Sequence, residues 1–75
     1  MIVYIGKRVR NEKNISNREL SRMSGVSSGS ISKWENGIHL PDLASLEQIA
    51  MALDVGPWDL IFFKPDKKDD QSAIA

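Results

Sequence analysis

Two helix starts and two glycine stops follow one another between Ile15 and Gly37, and a pair of short helices joined by a tight turn is what that spacing allows. Ser16 and Glu19 make an S-x-x-E capping box, with Ile15 and Leu20 at the two positions of a hydrophobic staple, so a helix begins at Asn17. Gly25 accepts the φ > 0 backbone that ends it after Ser24. Leu20 and Met23 are expected to face inward. Val26 plugs the turn, Ser27 is the next N-cap, and a further helix spans 28–36 until Gly37 stops it. Ile31 and Trp34 form its buried stripe, beside the small Ser30. Gly29, Ser32, Lys33 and Asn36 share the opposite stripe, with Ser28 one turn before Ser32. So little apolar surface makes this helix dependent on packing, and its polar edge is left to face something outside the protein.

The flanks read as further helices. Ile2, Ile5 and Val9 recur at helical spacing, which predicts a helix over 2–13. Gly6 inside it costs about 1 kcal/mol in propensity, a cost that close approach of another helix would explain. Asn14 suits a left-handed stop. Asp42 caps the next helix, whose stripe is Leu43, Leu46, Ile49, Ala50 and Leu53. Asp54-Val55-Gly56 breaks it, and Pro57 opens a fifth helix from Trp58 to Phe63. No stretch alternates as a strand. The expected architecture is all-α, a compact five-helix domain over 1–63 followed by a flexible charged tail over 64–75.

Composition narrows the chemistry. The 75 residues include no cysteine and one histidine, which gives no support to a disulfide, a zinc site or a nucleophile–base pair. Neither a metal nor a cofactor is expected, and there is no candidate catalytic residue. No apolar run approaches the ~18 residues of a membrane span, and the first residues are too short for a signal segment, so a cytoplasmic protein is expected. The formal net charge is zero, yet unevenly spread. Lys7, Arg8, Arg10, Lys13, Arg18, Arg22 and Lys33 face only Glu12, Glu19 and Glu35 up to Ile38, and the acidic excess lies beyond. Such a molecule can approach a polyanion with its basic half.

The capped helix, the Gly25 turn and the Ile31-x-x-Trp34-Glu35-Asn36-Gly37 ending together resemble the phage repressor/Cro-like helix-turn-helix family, also called the XRE type. Arg10, Leu20, Val26, Pro41, Leu46, Ala50, Leu53 and Val55 carry the same resemblance on either side of the motif. It covers Ile5 to about Ile61 and implies no catalysis.

What the resemblance implies is sequence-specific binding of double-stranded DNA by a small transcriptional regulator, with the helix over 28–36 in the major groove. Ser28, Gly29, Ser32 and Lys33 then fall at base-contacting positions. Lys33 is open to three roles: bridging guanine O6 and N7, contacting phosphate, or staying solvated. Asn17, Ser27, Asn36 and Arg18 are phosphate candidates, with Lys7 and Arg8 peripheral. For Asn36 the alternative is a left-handed cap beside Gly37. Arg10 and Glu35 correspond to a structural ion pair. Trp34 is assigned to the core and His39 to an exposed loop. Family members usually bind pseudo-palindromic operators as two-fold dimers. Trp58, Ile61, Phe62 and Phe63 are the candidates for a homodimer interface, the alternative being a helix folded back onto the core. No small-molecule ligand is expected. A competing function class is a protein-interaction module, such as the antitoxin-like partner of a toxin, with weak or no DNA binding.

Overall fold

The computed structural model describes residues 1–65; beyond Lys64 and Pro65, the tail expected over 64–75 lies outside the described residues. Four α-helices follow a short strand: β1 (Ile2–Tyr4), α1 (Gly6–Glu12), α2 (Asn17–Ser24), α3 (Ser28–Glu35) and α4 (Leu43–Leu53). A 3₁₀ turn (Pro57–Leu60) then leads into β2 (Ile61–Phe63).

The five-helix expectation is therefore corrected at both ends. Helix α1 starts at Gly6 rather than Ile2, and the segment read as a fifth helix is a 3₁₀ turn that runs into a strand. Ile2-Val3-Tyr4 and Ile61-Phe62-Phe63 are β-branched and aromatic, the residue types that favour pleated backbone. They pair antiparallel, Ile2 with Phe63, Val3 with Phe62 and Tyr4 with Ile61. Flanking backbone bonds extend the ladder, from Ile5 N–H to the Leu60 carbonyl at 2.8 Å and from Lys64 N–H to the Met1 carbonyl at 2.7 Å. The apparent helical spacing of Ile2, Ile5 and Val9 is overridden by a partner almost the whole chain away. Pro57 still opens a helical turn, with Asp59 Oδ2 accepting the Gly56 N–H at 2.9 Å.

Leu20, Ile31, Ile49, Leu53 and Leu60 are sealed from solvent and form the core with Tyr4, Val26, Trp34, Leu46 and Ala50. Leu43 and Met23, both expected inside, are exposed. Three helices end in the same way. After α1, α3 and α4 a left-handed residue (Asn14, Gly37, Asp54) lets two backbone N–H groups bond back to the last turn, the Schellman arrangement.

Tyr4 explains the glycine at the start of α1. A Cβ at Gly6 would run into the Tyr4 ring, so the close neighbour is an aromatic side chain from β1, not a second helix. The ring also meets Trp34 edge-on, with centroids 6.2 Å apart. Its hydroxyl is buried without a hydrogen-bond partner among the described residues. Burial, reinforced by the Glu35 carboxylate and opposed by Arg10, pushes the Tyr4 pKa up to about 12. The unfolded value is about 10, so folding favours the neutral phenol. That contribution is whole below about pH 10 and is lost as pH rises toward the folded value. Tyr4→Phe should therefore melt no lower than wild type near neutral pH, since it removes an unpaired buried hydroxyl. Between about pH 10 and 12 its melting temperature should fall less than that of wild type. Parallel alkaline melts check both statements.

Candidate nucleic-acid interface

The geometry begins at the N-terminus of α2. Ser16 Oγ accepts the Glu19 N–H at 3.1 Å, which places Asn17 and Arg18 in the first turn. Gly25, at φ +77°, ends the helix. The turn that follows is pinned from within α2: Ser21 Oγ donates to the Val26 carbonyl at 2.6 Å, and Val26 N–H donates to Ser24 Oγ at 3.2 Å. Sequence reasoning missed both serines. Their signal was position, since each stands within one helical turn of the glycine.

Ser27 then caps α3. Its hydroxyl accepts the Ser30 N–H at 3.2 Å and donates to Ser30 Oγ at 2.9 Å, so both of its hydrogen-bonding functions are engaged inside the protein. Ile31 and Trp34 anchor the helix in the core. Ser28, Gly29, Lys33 and Asn36 all stand exposed on the outer side. Asn36 keeps a right-handed backbone (φ −89°), and Gly37 alone takes the left-handed position. The Asn36 side chain is thus not a left-handed cap and forms no hydrogen bond among the described residues.

Ser32 behaves differently from its neighbours. It is half-buried, and its Oγ accepts a hydrogen bond from Asn17 Nδ2 at 3.0 Å, tying the first residue of α2 to the middle of α3. This couples a residue assigned to phosphate with one assigned to bases.

Behind the helix, Arg10 and Glu35 form a bidentate pair, Nε to Oε2 at 2.7 Å and Nη2 to Oε1 at 2.9 Å. The hydrogen bond to Glu35 raises the guanidinium pKa above its ordinary value, so the cation is permanent. Arg10 also donates to the Ile15 carbonyl at 3.1 Å, so one side chain connects α1, the α1–α2 loop and α3. Arg18 is exposed on α2; Arg8 is exposed on α1, 3.8 Å from Glu12.

The four apolar residues grouped as an interface do not make one patch. Trp58 and Ile61 line a groove of about 160 Å³ with Ile2, Leu40, Pro41, Leu43 and Leu46. Phe62 pairs with Val3, and alternation along β2 turns it to the sheet face opposite Ile61 and Phe63. None of the helices among the described residues is long and apolar enough to cross a membrane.

Comparison with known proteins agrees with this geometry. The helix-turn-helix family profile matches residues 7–57. An uncharacterised helix-turn-helix-type transcriptional regulator of Sinorhizobium fredii, y4aM, is 32% identical over 75 residues. That alignment takes up 96% of this chain and 50% of the relative, so the chain spans half the length of that protein. Among solved structures, a Bacteroides fragilis protein proposed to bind DNA superposes with a TM-score of 0.75 and 35% identity, over 83% of this chain and 100% of the other. The chain belongs to the helix-turn-helix family, of the repressor/Cro-like (XRE) type.

Proposed function

We propose that the protein is a DNA-binding transcriptional regulator that reads a duplex sequence with α3 in the major groove. One observation carries the reading. Ser28, Gly29, Lys33 and Asn36 are all exposed on one side of a helix whose other side is held by buried Ile31 and Trp34 and by the Arg10–Glu35 pair. Lys33 is the longest donor on that side and takes the guanine-reading role, its ammonium bridging O6 and N7. In this reading Asn36 and Arg18, both exposed, meet phosphates, and Asn17 has a second amide N–H for the same purpose. Ser27 contributes through its cap on α3.

The groove beside Trp58 supports self-association. Ile2, Leu43 and Trp58 leave half or more of their surface open around it, an unusual exposure of large apolar side chains in so small a domain. A second copy seated there would give a two-fold pair, and its half-sites would lie about 34 Å apart on a pseudo-palindromic operator. The same apolar groove favours the second reading, a module for a different protein partner.

A salt titration on duplex DNA tests the proposal. Binding at ~50 mM salt should weaken with a slope of about −0.9 in log K per phosphate neutralised. Lys33→Ala should change which sequence is preferred, whereas an equal loss on every sequence would reassign Lys33 to phosphate. If neither random nor operator-like duplexes bind at ~50 mM salt, the regulator reading fails and the protein-partner reading takes its place.

A further inference from the structure

We propose that Asn17 is a specificity-determining positioning residue: by donating to Ser32 Oγ it leaves that hydroxyl with its proton directed toward the DNA, so that Ser32 selects acceptor-bearing base edges. This rests on the reading that α3 enters the major groove.

A serine hydroxyl has one proton to give and two lone pairs, and when nothing constrains it the group suits donors and acceptors alike. Here one lone pair is taken by Asn17 Nδ2 at 3.0 Å. The usual competitor for the proton, the carbonyl one turn back in the same helix, does not take it, and Ser32 Oγ donates to no group among the described residues. Its proton and one lone pair are therefore left over, and the proton has to find its acceptor outside the protein.

The orientation of the amide follows from what each alternative would strand. Asn17 Oδ1 is sealed from solvent and has no partner among the described residues. Turning the amide over would let Oδ1 accept from Ser32, but would place an NH₂ with two N–H donors in the sealed position. An under-satisfied carbonyl oxygen is better tolerated than orphaned N–H groups. The donating orientation is thus the one the burial favours, and it leaves Ser32 with an unspent proton. Thymine O4, guanine O6 and N7 and adenine N7 are acceptors that suit it, whereas the cytosine amino group at the same place offers no acceptor and leaves the proton unpaired.

The test is selection from a randomised duplex pool, run on wild type, Ser32→Ala, Asn17→Ala, the double variant and Asn17→Asp. Wild type should prefer guanine or thymine over cytosine at one position, by roughly threefold to tenfold, the range of one net hydrogen bond. Ser32→Ala and Asn17→Ala should both flatten that same position, and the double variant should be no flatter than either single one. A carboxylate only accepts, so Asn17→Asp forces Ser32 to donate inward and should move the preference toward cytosine or adenine. An acidic residue in the first turn of α2 suits the helix dipole, which keeps this variant folded.

Flattening at two different positions would overturn the proposal. So would a uniform loss for Asn17→Ala on all sequences, with the preference at that position unchanged, since that marks a phosphate contact alone; the amide is neutral, so the salt slope should not move. Either result leaves wild-type binding intact, which separates it from failure of the DNA reading, where wild type selects no sequence and both proposals are overturned.

Discussion

Arg10→Met is expected to lower the unfolding free energy by about 3–5 kcal/mol, the usual cost of removing one partner of a buried ion pair. The side chains of Arg10 and Glu35 are only 11% and 6% exposed, so the Glu35 carboxylate left behind would have little access to water. It would also lose both charge-assisted bonds, and the Ile15 carbonyl and Asn11 Oδ1 would lose their donor. A domain typically has about 5–15 kcal/mol in total, and one of this size sits toward the lower end. The variant should therefore be substantially unfolded under mild denaturant. It should also bind DNA less well, because the pair sets how α3 is presented. The double variant Arg10→Met/Glu35→Leu should recover most of the stability, since an apolar pair avoids the desolvation of two charges. Denaturant midpoints of the three proteins check this, and an unchanged midpoint for Arg10→Met would refute it.

That pair belongs to what could be read in the sequence. So do the start of α2 at Asn17, the Gly25 turn, the Ser27 and Asp42 caps, and the left-handed Asn14. Apart from the ion pair, each rests on residues within a turn of one another, where local chemistry decides the backbone. The ion pair itself came from family resemblance, because no local rule joins positions so far apart in the chain. What the local pattern does not carry is non-local. Ile2-Val3-Tyr4 looks helical until Ile61-Phe62-Phe63 is known to lie beside it, and the pairing satisfies backbone groups at opposite ends of the domain. Met23 and Leu43 fit an apolar stripe but lie at its edge, where no facing element among the described residues covers them. The Asn17–Ser32 bond was also out of reach, as it depends on the angle at which α2 and α3 cross.

The two tryptophans should respond to the same substitution in opposite ways. Trp34 is 9% exposed, anchors α3 and packs edge-on against Tyr4, so Trp34→Ala is expected to cost about 3–5 kcal/mol. Truncation leaves a cavity between β1 and α3 that the sheet cannot readily close, because Tyr4 is already held over Gly6. Trp58 is 70% exposed at the rim of the apolar groove, so Trp58→Ala should change the stability of a single copy by less than about 0.5 kcal/mol. Its effect should appear in association. If a second copy occupies the groove, the wild-type melting temperature rises with protein concentration, as binding linkage requires, and Trp58→Ala removes that dependence. Sedimentation across the same concentrations gives the independent reading. A wild type that stays monomeric throughout would discard the self-association proposal. A Trp34→Ala variant as stable as wild type would mean that α3 is not held by its buried face, and the rigid presentation on which any sequence reading by Lys33 and Ser32 depends would go with it.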